Sequence, residues 1–162
     1  MRQSEITIPL ADAAATRALG ARLATALGAD IEGPTYIALS GELGSGKTTL
    51  VAGMLAALGH SGPVRSPTYT LVEPYAFADR ELWHCDLYRL ETPDGLEDLG
   101  LRDVLTGTNV LLVEWPERAG NRLGVNDLRV ELVYSNTGRI ATIRGGSTHG
   151  SRLLQALALD PA

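Results

Sequence analysis

Gly41, Gly46, Lys47 and Thr48 in "LSGELGSGKTTL" (39–50) fit G-x-x-x-x-G-K-[ST], the spacing of a loop that wraps phosphate. Glycines let backbone N–H groups turn inward around an anion with no Cβ in the way. In this pattern Gly41, Glu42, Leu43, Gly44, Ser45 and Gly46 supply the cradle for a β-phosphate. Lys47, Thr48 and Thr49 then open a helix whose positive end faces the anion. Lys47 is the only lysine of the chain; the other thirteen basic residues are arginines. A flexible ammonium can reach between β- and γ-phosphates, a task that a rigid guanidinium fork performs differently. Thr48 offers a hydroxyl to Mg2+. The chemistry implied is that of a nucleoside triphosphate.

Hydrolysis of such a ligand needs an acid at the end of a neighbouring strand, to hold the metal or its water. Two acids qualify. Glu114 ends the apolar run "NVLLVE" (109–114), and Asp86 ends "ELWHCD" (81–86). Both are expected in the site, one touching Mg2+ directly or through water and the other positioning the attacking water. The sequence leaves open which does which. Arg89 and Arg118 follow these acids by three and four residues, and either could neutralise γ-phosphate charge. For an isolated arginine a surface ion pair is the commoner role. Ser66, Thr68 and Thr70, beside the stiff Pro67, supply hydroxyls where a switch segment would lie. His84 and Cys85 are adjacent on a strand and so point to opposite faces, which argues against a shared metal.

The elements that must position these residues are legible as periodicities. "EITIPL" (5–10) alternates like a strand, and "ADAAATRALGARLATAL" (11–27) reads as a helix capped by Asp12 and ended by Gly28. "PTYIALS" (34–40) is a buried-looking strand running into the glycine turn. "KTTLVAGMLAAL" (47–58) is a helix stopped by Gly59. "PTYTLVEPY" (67–75) and "ELWHCDLY" (81–88) read as extended segments. Pro93 opens a helix punctuated by Gly100 and Gly107. "DLRVELVY" (127–134) and "GRIATIR" (138–144) form a hairpin around "SNTG", and "SRLLQALAL" (151–159) closes as a helix. The order predicts an α/β fold: a three-layer sandwich of the P-loop NTPase type around a mixed, partly parallel sheet, as one domain over residues 1–162.

Composition narrows the partners. A net charge of −5 argues against a nucleic-acid binder held mainly by phosphate contacts. Residues 73–103 carry nine acids against three arginines, and the balance reverses after Trp115. Such an acidic face suits a basic protein partner, although a solvated surface is its commoner meaning. Cys85 is alone, which excludes an internal disulfide. No apolar run approaches the roughly 20 residues of a membrane span, and "MRQSEITIPLAD" is no signal peptide, so a cytoplasmic protein is expected.

A guanine-specific GTPase would carry Asn-Lys-x-Asp, which the single lysine excludes, and the only Asp-x-x-Gly, at 30–33, precedes the phosphate loop. Guanine specificity is therefore not expected. A small-molecule kinase would want an arginine-bearing lid and an acceptor pocket, yet the region after the first loop helix is acidic and threonine-rich. A nucleotide-binding scaffold without hydrolysis is the third reading. The set "GELGSGKTT", "SPTYTLVE", "HCDLYRL" and "VEWPER", in that order, resembles the TsaE family of bacterial tRNA threonylcarbamoyladenosine biosynthesis, from about residue 7 to residue 144. That resemblance implies a small ATPase that joins TsaB-like and TsaD-like carbamoyltransferase subunits. These install threonylcarbamoyl on the adenosine next to the anticodon of tRNA. ATP hydrolysis would drive a conformational cycle supporting their turnover rather than the transfer itself. It further implies Mg2+ held by Thr48 and Glu114, support of metal or water from Asp86, a switch at 66–70, and Trp115 beside the nucleotide. Lys47, Asp86 and Glu114 would act on the reacting phosphate, and any direct contact with tRNA would be weak and salt-sensitive.

Overall fold

The computed structural model describes residues 4–28, 32–67 and 69–159. Along the chain run β1 (Glu5–Leu10), α1 (Ala13–Leu27), β2 (Thr35–Ser40), α2 (Lys47–Ala57), β3 (Val72–Ala76) and β4 (Glu81–Asp86). Then come α3 (Leu101–Val104), β5 (Val110–Glu114), β6 (Leu128–Ser135), β7 (Gly138–Gly145) and α4 (Thr148–Leu159). All seven strands join one sheet in the order β1-β7-β6-β2-β5-β4-β3. Its middle, β6-β2-β5-β4, is parallel, while β3, β7 and β1 attach antiparallel at the flanks.

Burial follows from that order. β2 and β5 lie inside the parallel block with both faces covered, so they are apolar at nearly every position rather than alternating. β6 has a core face and an exposed face and alternates accordingly. On one face α1, α2 and α4 pack Leu19, Leu23, Leu50, Met54, Leu153 and Leu157 against Ile37, Leu39, Leu112 and Val130. On the other, Tyr36, Ala38, Leu111 and Val113 are covered by Leu87, Leu96, Leu101 and Leu123, which come from loops and short turns of helix. The expected three layers are present, the second a thin one.

Asp12 caps α1, its carboxylate accepting from the Ala15 N–H at 2.8 Å. α1 and α2 approach closely enough to exclude a methyl group: a Cβ at Gly53 would lie 2.1 Å from the Arg17 carbonyl oxygen, and one at Gly20 would lie 2.2 Å from that of Leu50. The β6–β7 hairpin turns at Asn136, whose φ of 45° is the left-handed conformation that asparagine tolerates.

Two expectations need correction. The segment 67–75 is extended only from Val72. Before it the chain turns, with the Leu71 N–H donating to the Pro67 carbonyl at 3.0 Å and Leu71 itself at φ 64°. The Leu71 carbonyl accepts from the Asp86 N–H at 2.9 Å, which ties this turn to the end of β4. The helix opened by Pro93 is 3₁₀ over Pro93–Leu99 and ends at Gly100; only the four residues of α3 continue as α-helix. A segment that contains Gly95 and buries Leu96 alone has no apolar stripe to sustain a longer α-helix. Thr68 and Asp30 lie outside the described residues.

Candidate nucleotide site

β2 delivers the chain to the carboxyl edge of the parallel strands, and residues 41–46 turn it back into α2. Gly41 and Gly46 hold φ of 150° and 108°, a region L side chains rarely adopt. A Cβ at Gly41 would also lie 2.5 Å from Ser45 Oγ. The loop is held from behind by the hairpin. Tyr134 donates its hydroxyl proton to the Leu43 carbonyl at 2.8 Å. Arg139 donates from Nη2 to the Gly44 carbonyl at 3.1 Å and from Nε to that of Ser45 at 3.2 Å. Its guanidinium lies 4.1 Å from the Tyr134 ring centre. In a trans peptide the N–H points opposite the C=O. Drawing these carbonyls toward the hairpin therefore turns the Gly44 and Gly46 amides away from it, toward the front of the loop.

In front of the loop opens a cleft of about 390 Å³. Leu43, Gly44, Ser45, Gly46, Lys47, Thr48 and Thr49 line one side, and Ser66, Asp86, Tyr88, Arg89, Glu114 and Trp115 the other. Lys47 is only 6% exposed. Its ammonium donates to the carbonyls of Gly41 and Glu42 and lies 4.4 Å from the Trp115 ring centre. Burial lowers its pKa, while Glu114, Asp86 and Glu117 pull the other way. Gly41 and Glu42 thus serve the lysine rather than the cleft wall. A larger cavity, about 490 Å³ on the opposite sheet face, lacks Lys47, Thr48 and Asp86.

The two acids meet because β4 and β5 are parallel neighbours in a register that pairs Asp86 with Glu114. Glu114 is 3% exposed. Its Oε2 lies 2.7 Å from Nε2 of the fully buried His84 and 3.4 Å from the Ser66 hydroxyl, which also donates to Asp86 Oδ2. The other carboxylate oxygen, Oε1, faces Thr48 Oγ1 at 3.5 Å, too far for a strong hydrogen bond. Asp86 Oδ1 accepts from the Tyr88 N–H at 2.9 Å. One hydroxyl and two carboxylates on the cleft form an all-oxygen donor set. It fits a hard ion such as magnesium, which keeps several waters and takes its remaining ligands from phosphate. No group of three His, Cys, Asp or Glu among the described residues could cage a metal unaided.

Trp115 borders the cleft with φ 57° and ψ 51°, a conformation that costs a bulky residue about 1–3 kcal/mol. Its ring lies 5.0 Å from that of Tyr88. Arg89 reaches the cleft and lies 5.0 Å from the Tyr69 ring centre. Arg118 does not line it; its guanidinium is 5.7 Å from the Tyr88 ring centre. Of the switch hydroxyls Ser66 lines the cleft, whereas Thr70 is exposed in the turn before β3. Sequence reasoning missed His84 as a partner of Glu114, and it missed Tyr88, Tyr134 and Arg139. A signal for His84 was present, since two residues before Asp86 on a strand is the same face. For the hairpin pair there was none.

The model of the family "Threonylcarbamoyl adenosine biosynthesis protein TsaE" matches residues 10–141. The chain is 41% identical to the tRNA threonylcarbamoyladenosine biosynthesis protein TsaE of Haemophilus influenzae, over 74% of this chain and 76% of that one. It is 42% identical to the protein of the same name from Streptomyces coelicolor, over 72% and 77%. The crystal structure of YdiB from Bacillus subtilis superposes with a TM-score of 0.73 at 23% identity, covering 98% of this chain and 97% of that one, which shows a shared fold.

Proposed function

Since the chain belongs to the TsaE family, we propose that it is a single-domain, magnesium-dependent ATPase serving threonylcarbamoyladenosine modification of tRNA. One observation carries the reading: Asp86 and Glu114 stand side by side at the ends of β4 and β5, facing Thr48 where the glycine loop becomes α2.

The ammonium of Lys47 leaves its carbonyl partners for the β- and γ-phosphates of ATP, aided by the loop amides. Thr48 and Glu114 would hold magnesium, with Asp86 supporting the metal or its water, and the ion would supply positive charge against the phosphates. Asp86 orients a water in line with the γ-phosphate. Ser66, bonded to Asp86, couples the loop before β3 to the state of that phosphate. Trp115 and Tyr88 wall the cleft. Hydrolysis by the chain alone is slow, because a single arginine, Arg89, reaches the cleft among the described residues, and it lies against Tyr69 rather than across it. TsaB-like and TsaD-like subunits complete the site, and ATP turnover resets their carbamoyltransferase.

Reconstituted transfer to tRNA with both partners tests this. Product should exceed one turnover only with wild-type protein and ATP. Glu114→Gln should bind ATP yet lose at least about 100-fold in hydrolysis. Multiple turnover without this protein would refute the role.

A further inference from the structure

His84 lies on the face of β4 that carries Asp86, yet the charge balance of the cleft does not require it. Its imidazole is wholly buried, and Nε2 sits 2.7 Å from Glu114 Oε2. Nδ1 is also buried and has no hydrogen-bond partner among the described residues. A proton on Nδ1 would be stranded, and a stranded buried donor costs more than an idle lone pair. The ring proton therefore belongs on Nε2, donated to Glu114.

We propose that His84 is a positioning residue that holds Glu114 Oε2 so that Oε1 is left to face Thr48 and the metal. A glutamate side chain has three rotatable bonds and would sample several orientations in an open cleft. The bond from His84 engages Oε2 and leaves Oε1 as the oxygen presented to Thr48 Oγ1. The register makes this possible. His84 pairs with Leu112 and Asp86 with Glu114, so the imidazole reaches diagonally forward along β5 to a carboxylate two residues ahead. Partners that orient a metal-binding group in this way are worth about 10- to 100-fold in metal affinity. The role rests on the magnesium-dependent reading of the cleft.

The test is a magnesium titration of ATP binding, followed by calorimetry, for wild type, His84→Leu and His84→Gln. Leucine fills the space without a donor, and glutamine restores an N–H. The expected result is a magnesium requirement raised about 10- to 100-fold by leucine and largely rescued by glutamine. Binding of magnesium-free ATP should be the same in all three. Equal titrations in wild type and His84→Leu would overturn the role, and so would equal defects in both variants, which would mark a packing effect. Wild-type binding that ignores magnesium would instead overturn the reading of the cleft itself. Should His84→Leu fail to fold, nitrogen NMR of the wild-type imidazole decides: a proton on Nε2 with Nδ1 bare supports the role, and a bare Nε2 refutes it.

Discussion

Nε of Arg139 donates to the carbonyl of Ser45 at 3.2 Å across 94 residues of chain, so a β-hairpin far along the sequence sets the shape of the phosphate loop. The same guanidinium takes the Gly44 carbonyl, and Tyr134 takes that of Leu43. These bonds come from the chain itself, so the loop has less freedom to lose on binding a phosphate.

Arg139→Ala should therefore weaken ATP binding about tenfold, or ~1.4 kcal/mol, while circular dichroism stays unchanged. Arg139→Lys should recover little, because one ammonium does not fork across two carbonyls as a guanidinium does. Calorimetric titration reads both.

Lys47→Met separates ligand binding from stability. The ammonium is desolvated, and burial depresses its pKa. An isosteric apolar chain should leave the free protein as stable as wild type or more so. ATP at about 1,000 times Kd should stabilise wild type by about 4 kcal/mol and the variant by almost nothing. Thermal melts with and without nucleotide measure this.

Burial, partly offset by Arg129, pushes the Tyr36 hydroxyl from 10.0 up to about 12. The folded value exceeds the unfolded one, so this contribution is intact below pH 10 and is lost as pH climbs through about 12. Across that window stability should fall by up to about 1.4 kcal/mol per pH unit from this one group. Urea melts of Tyr36→Phe should show a shallower decline over the same range.

Gly53→Ala tests the contact between α1 and α2. Alanine favours a helix interior over glycine by about 1 kcal/mol. Against this, its Cβ would lie 2.1 Å from the Arg17 carbonyl oxygen. Overpacking of that kind costs about 3 kcal/mol or more, so the clash wins. The melting temperature should drop by several degrees.

Local signals carried much of this molecule. Asp12, Gly28 and the glycines of the loop act through their own backbone, so their roles could be read without the fold. The apolar runs ending in Asp86 and Glu114 marked both acids as strand ends, but their adjacency depends on β4 and β5 being neighbours in one register. Neither strand states that register by itself. Arg139 and Tyr134 were invisible because nothing in "GRIATIR" or "LVYS" distinguishes a side chain that grips a distant carbonyl from one that meets solvent. The extended reading failed at Leu71, just before β3, a residue with no intrinsic preference for the left-handed conformation it adopts there.

The glycine seam between α1 and α2 has a mechanical meaning. Where Gly20 and Gly53 bring the two helices together through backbone, little room is left for them to slide or roll past one another in small steps. The element that begins at Lys47 is thereby a fixed reference, and the phosphate end of the cleft is its immobile jaw. In the proposed ATPase, whatever yields when the γ-phosphate departs would lie opposite, where Ser66 joins a turn that feeds β3, the last strand of the sheet. An edge strand has one neighbour to disturb instead of two. On that reading the fold would direct displacement outward along its least costly route, to a margin within reach of a partner protein.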